Sequence, residues 1–256
     1  MTENTRYALS KVPEVTLGFW IIKIAATTLG ETGGDALSMS MNLGYLVSTI
    51  ILIVPFLILV VAQIKASRFY PFLYWSVIVA TTLAGTTMAD FADRSLGIGY
   101  PGGTAILFTL VILSLVVWKY AVGTVSVNNI VTPKAEMFYW LTILFSNTLG
   151  TALGDWTSEG TGFAGGIYLF LALLAVIALL YFFTKISRTV LFWAAFILTR
   201  PLGATVGDFL TKPHASGGLN LSRFVSTGVL AVFIIACILL IPQRAGHHPG
   251  HSEEAA

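Results

Sequence analysis

The sequence predicts an all-α polytopic membrane protein: eight transmembrane helices arranged as four parallel-oriented two-helix repeats. Three observations carry this expectation. The chain is 56% hydrophobic and only 10% charged, whereas a soluble domain carries about 25% charged residues. Apolar stretches run over about 17–35, 43–64, 72–92, 103–123, 137–156, 164–184, 189–209 and 222–242, each long enough to cross roughly 30 Å of hydrocarbon. Finally, the chain repeats itself. The segments FWIIKIAATTLGETGGD, YWSVIVATTLAGTTMAD, YWLTILFSNTLGTALGD and FWAAFILTRPLGATVGD each place an aspartate fifteen residues after a tryptophan. Self-similarity at such a period marks an array of one structural unit.

Each unit opens with a Trp-led helix and continues with a plainer one, such as LVSTIILIVPFLILVVAQI. The plain helices are Leu, Ile, Val and Phe on all sides and are expected to face lipid. The whole forms one transmembrane domain, residues 1–242, with repeats at about 18–68, 73–134, 138–188 and 191–242. Residues 243–256 are polar, carry His247, His248 and His251, and are expected to form a disordered cytoplasmic tail. The polar first sixteen residues lack a basic stretch followed by an apolar run and a small-residue cleavage site, so no signal peptide is expected. Cys237 is the single cysteine, which excludes a disulfide framework.

Orientation follows from lysine and arginine placement. Arg6, Lys11, Lys65, Arg68, Lys119, Lys134, Lys185, Arg188 and Arg244 fall on one side; Arg94, Lys212 and Arg223 fall on the other. This imbalance puts both termini in the cytoplasm of a cell inner membrane. All four Trp-led helices then run outward, related by an axis along the membrane normal. A single-chain ring or a two-plus-two bundle satisfies that relation. Trp20, Trp75, Trp140 and Trp193 fall near the cytoplasmic boundary, where an indole serves as an interfacial anchor.

Stepping from each tryptophan by 3, 7, 11 and 15 residues traces one helical face. It reads Lys23, Thr27, Glu31, Asp35; then Ile78, Thr82, Thr86, Asp90; then Ile143, Asn147, Thr151, Asp155; and Phe196, Arg200, Ala204, Asp208. A polar stripe inside hydrocarbon should point at protein or water. Small residues at spacing four precede the aspartates: Gly30/Gly34, Gly85/Ala89, Gly150/Gly154 and Gly203/Gly207. They allow helices to pack closely, which would bring the carboxylates together. A plainer reading stands beside this one: each Gly-Asp could simply stop its helix at water, the glycine serving as C-cap.

The chemistry expected of this face is cation or proton binding at Asp35, Asp90, Asp155 and Asp208, aided by Glu31, Thr86, Thr151 and Asn147. Carboxylates with hydroxyl and amide oxygens suit hard divalent metals, and clustered carboxylates also relay protons. Arg200 and Lys23 are the counter-charges within the spans, Lys23 early enough in its helix to snorkel; Arg94 and Lys212 add charge from the outer connections. The Gly-rich stretches SLGIGYPGG, TSEGTGFAGG and TKPHASGG read equally as cavity-lining backbone and as surface turns.

The expected function is therefore transport of a small cation, either a divalent metal or a proton-coupled solute. The alternative is a non-transporting membrane scaffold. An intramembrane aspartyl enzyme fits less well, because the residues before the aspartates, TGGD, TMAD, ALGD and TVGD, do not form a Gly-x-Gly-Asp motif. There is also no phosphate loop, nucleophile elbow or zinc-protease helix. No cofactor and no nucleic-acid partner is expected; the lipid bilayer is.

The aromatic–Trp openings at Trp20, Trp75, Trp140 and Trp193, with two spans per unit and four units, resemble a bacterial family of integral membrane proteins. Its defining element is a tandem two-span repeat of unknown function carrying a tryptophan. The resemblance covers about residues 18–242 and implies the architecture; it brings no activity with it.

Overall fold

The computed structural model describes residues 11–127, 130 and 132–246. Arg6 and the tail histidines His247, His248 and His251 lie outside these residues. The described chain is all-α, with seven α-helices: α1 (Leu17–Asp35), α2 (Gly44–Lys65), α3 (Pro71–Asp90), α4 (Gly99–Val122), α5 (Pro133–Phe183), α6 (Arg188–Thr211) and α7 (Arg223–Leu240). Six of them, α2 to α7, are long and apolar enough to cross a membrane. Starts are set locally. Thr16 and Thr132 accept from the N–H groups of Phe19 and Ala135, and Pro71 and Pro133 occupy first-turn positions where no donor is needed.

The third repeat departs from two stretches joined by a turn. α5 is 51 residues long, about 77 Å if straight, and breaks only at Gly162, whose φ of 71° and ψ of 165° are non-helical. The reversal that a loop was expected to make is concentrated at this one glycine. Before the break the chain stays helical, with Thr157 and Thr161 bonding the carbonyls four residues back. The second arm then returns along α6. Gly166 faces Thr205, and Ala178 and Tyr181 share a groove with Ala195 and Arg188, so the contacts run antiparallel.

The four Trp-led segments, α1, α3, the first arm of α5, and α6, close into a ring in chain order. Glycines show how. A Cβ built at Gly30 would strike Thr82; at Gly85, the backbone of Asn147; at Gly150, Arg200; and at Gly203, Thr27. The residue ten after each Trp therefore packs on the residue seven after the next Trp, and the fourth repeat closes onto the first. One turn on, a Cβ at Gly34 would lie 2.8 Å from Thr86 Cβ, at Gly154 3.0 Å from Ala204 Cβ, and at Gly207 2.7 Å from Glu31 Cβ. The pairs advance together on both partners, so the four helices run in parallel. Close small-residue contact of this kind is how helices associate where no hydrophobic force drives them.

The plainer helices form an outer layer. α2 packs on α3, α4 on α5, the second arm of α5 on α6, and α7 on α1. Ser114 of α4 bonds Thr142 of α5, and Thr227 of α7 bonds Thr32 of α1. Their outward faces are exposed apolar surface, including Ile50, Leu57, Phe108, Leu113, Phe182 and Val232.

At the end where the Trp-led helices begin, three of the four tryptophans turn inward instead of anchoring at a lipid interface. Trp75, Trp140 and Trp193 are buried and Trp20 is half-buried. Each ring meets the aromatic that precedes the neighbouring tryptophan: Phe19 with Trp75, Tyr74 with Trp140, Tyr139 with Trp193, and Phe192 with Trp20, at centroid separations of 5.5, 5.5, 6.2 and 5.8 Å. Residues 12–14 and 243–246 meet beside this layer. Glu14 N–H and Gly246 N–H bond the carbonyls of Arg244 and Val12, and the Trp75 indole donates to Gln243. Residues 243–246, expected as the start of a disordered tail, are thus tied to residues 12–14.

Candidate functional site

The polar stripe points at the axis of the ring. All sixteen of its residues are buried, and they fall into four layers between the aromatic ring and the opposite end. In the first layer, Lys23 is 0% exposed and does not snorkel. Its ammonium lies 4.1 Å above the Phe196 ring and donates to Asn147 Oδ1 at 3.3 Å. Asn147 Nδ2 in turn donates to Thr81 Oγ1 at 2.8 Å. Asn147 therefore holds Lys23 in place and is not brought to the aspartates.

Arg200 crosses the next two layers. It is 0% exposed, and its Nη2 donates to Thr86 Oγ1 and Thr151 Oγ1, each at 2.6 Å, and to Glu31 Oε2 at 3.1 Å. Thr86, Thr151 and Glu31, expected to hold a cation, hold the chain's own guanidinium. Nε and Nη1 of Arg200 have no protein partner among the described residues.

The last layer is the aspartates. Arg94 Nε lies 3.1 Å from Asp90 Oδ1, and its Nη2 lies 2.8 Å from Asp155 Oδ2. Lys212 Nζ lies 2.7 Å from Asp35 Oδ2 and 3.1 Å from Asp208 Oδ1. Arg223 adds a looser contact to Asp35 at 3.6 Å. Each clamp thus starts four residues after one aspartate and reaches the aspartate of the following repeat. Burial disfavours the Lys212 ammonium, but Asp208 and Asp35 more than offset that and hold its pKa above the usual lysine range. One carboxylate oxygen each from Glu31, Asp155 and Asp208 lies within 4.8 Å of the others, so these three could share one metal ion. Asp93 is also buried here, neither of its oxygens hydrogen-bonded among the described residues, while Glu159 is exposed.

Asp35 and Asp90 are the last residues of α1 and α3, yet the chain stays helically coiled beyond all four aspartates. Five-residue π turns, Ala36–Ser40 and Phe91–Ser95, follow Asp35 and Asp90; α5 stays helical to the break at Gly162, and α6 runs to Thr211. Gly34, Gly154 and Gly207 are helical, not left-handed caps; the neighbouring helix is too close for a side chain. Two roles went unread in the sequence. The aromatic before each Trp gave a signal, since it is Phe or Tyr in all four repeats. Arg223 gave none, because it precedes a plain helix and looks like a loop charge.

What these layers repeat is a unit that can be recognised by itself. Residues 18–69, 73–124, 138–187 and 191–242 each match the family described as Repeat of Unknown Function (DUF347). The chain belongs to that family. No curated protein and no solved structure matches it. Each DUF347 unit thus contributes one inner and one outer helical segment to the ring. The function of the family has to be argued from the side chains.

Proposed function

We propose that this DUF347 protein is a multi-pass transporter of the cell inner membrane that moves a small cation, a divalent metal or a proton-coupled solute. Its axial carboxylate layer binds the cation or the proton; it catalyses no reaction. One observation carries the reading. Five buried carboxylates, Glu31, Asp35, Asp90, Asp155 and Asp208, form ion pairs with four cations among the described residues, Arg94, Arg200, Lys212 and Arg223. An excess of carboxylates away from water is costly unless protons or cations join it.

In this reading α1 spans the membrane with the six apolar helices, and the break at Gly162 makes two spans of α5, eight in all. Both termini are cytoplasmic. The basic majority collects at the aromatic end, where Lys11 bonds the carbonyls of Ile64 and Ala66, and Lys134 that of Ala121. The minority, Arg94, Lys212 and Arg223, is spent on the aspartates.

A second reading, a non-transporting scaffold, draws on Arg200, which fills the axis and engages Thr86 and Thr151. Flux of Mn²⁺, Mg²⁺ and protons in proteoliposomes separates the two. Loss of flux in Asp155→Asn and Asp208→Asn, with melting behaviour retained, supports transport at this layer. Folded wild-type protein that passes none of these ions leaves the scaffold.

A further inference from the structure

A second site lies at the other end of the molecule. A groove of ≈ 660 Å³ opens between α1, the second arm of α5, and α6, within the range of about 300–1,000 Å³ typical of ligand sites. Its walls are apolar, formed by Trp20, Ile24, Leu174, Ile177, Ala178 and Ala195 among others. Its end is not. Arg188 and Thr189 stand there beside Thr16 and Ser126.

The repeats supply an internal comparison. The groove of ≈ 330 Å³ between α2, α3 and α7 is lined by apolar residues and Ser76, with no cation. There the tryptophan, Trp75, is buried and donates to Gln243. Trp20, by contrast, is half-buried, lines the larger groove, and its indole N–H has no hydrogen-bond partner among the described residues. Arg188 is exposed yet held: its Nη1 donates to the Tyr181 carbonyl and its guanidinium lies 4.3 Å from the Tyr181 ring centroid. It makes no ion pair among the described residues. A fixed, unpaired guanidinium at the mouth of an apolar groove at a membrane surface suits a phosphate attached to hydrocarbon.

We infer that this groove is a binding site for an anionic phospholipid, one acyl chain lying along α5 and α6 and the phosphate at Arg188. Trp20 is the amphipathic wall between the two environments. The site is remote from the aspartates and does not depend on what they carry.

Native mass spectrometry of the purified full chain tests this, titrating dioleoylphosphatidylglycerol against dioleoylphosphatidylcholine. Wild type should prefer the anionic lipid by about fivefold, what one basic residue contributes at a charged surface. Arg188→Gln should bind both lipids equally, and Arg188→Lys should keep most of the preference. Ala178→Trp, a change at an exposed wall position, should lose both lipids while melting as wild type does; Ala195→Phe fills the groove from the opposite side if it does not fold. Equal binding of the two lipids by wild type, or an unchanged preference in Arg188→Gln, overturns the inference. So does undiminished binding in a folded, groove-filled variant.

Discussion

Arg200 allows the sharpest test of how the ring is held together. Its guanidinium is fully buried, 3.1 Å from the equally buried Glu31 carboxylate and 2.6 Å from two threonine hydroxyls. Removing either charge leaves the other without its partner away from water, which costs about 3–5 kcal/mol for a buried pair. Replacing both with apolar side chains of similar volume is far cheaper, because no uncompensated charge remains. Glu31→Gln and Arg200→Met should therefore each lower stability by about 3–5 kcal/mol. At about 2–4 °C per kcal/mol for a chain of this size, that is a fall in melting temperature of roughly 6–20 °C. The double variant Glu31→Leu/Arg200→Met should recover more than half of the loss. The assay is a melting series in one detergent, closed as a double-mutant cycle. Single variants that lose under about 1 kcal/mol, or a double variant as unstable as the sum of the singles, would refute a buried pair across the junction between the fourth and first repeats.

Three further outcomes follow from the contacts. Gly34→Ala should destabilise by about 1–3 kcal/mol through overpacking, since its Cβ would lie 2.8 Å from Thr86 Cβ; Gly228→Ala, with nothing within 4 Å, should stabilise by up to about 1 kcal/mol from helix propensity. Tyr74→Phe should cost about 1–3 kcal/mol in the same melt, because it leaves the buried Tyr139 hydroxyl without its 2.6 Å partner. Lys212 has a raised pKa, so its contribution is complete below the unfolded lysine value, about 10.4, and fades only as pH rises through the higher folded value. The melting difference between wild type and Lys212→Gln should therefore stay constant from pH 7 to about 10; a difference that shrinks across that window counts against the clamp.

The sequence carried the large features because they are periodic. The fifteen-residue Trp-to-Asp interval and the small residues before it determine which face of each inner helix is buried, and the apolar outer helices can only lie outside. What stayed hidden depends on the neighbour that each side chain meets. An indole near a helix start can face headgroups or another helix, and composition does not distinguish these; the ring closure does, by setting Tyr74 against Trp140 and Tyr139 against Trp193. Lys23 looked free to snorkel because its partners, Asn147 and Phe196, lie on α5 and α6. The third repeat looked like two helices and a loop because Thr, Ser and Gly have low helix propensity. In the fold only Gly162 leaves the helix.

The ways in which the repeats differ from one another are themselves ordered. The backbone ring is nearly fourfold, with the same glycine meeting the same stripe position at each junction. The charges are not. Nineteen residues after the four tryptophans stand Met39, Arg94, Glu159 and Lys212, so only the second and fourth repeats carry a clamp, and each clamp joins its own aspartate to the next repeat's. Four aspartates thereby become two pairs. Arg200 and Glu31, each the sole ionisable residue of its layer, meet across the one junction where the fourth repeat joins the first. Lys23, alone in its layer, faces Asn147, the only amide on the stripe. Random divergence after duplication would scatter such charges; here each unique cation lies opposite a unique acceptor on another repeat. An evenly charged ring would hold four equivalent carboxylates that repel one another. The unequal ring divides the aspartates into two pairs, each bridged by a cation, and brings one member of each pair, Asp155 and Asp208, together with Glu31 as a carboxylate triad.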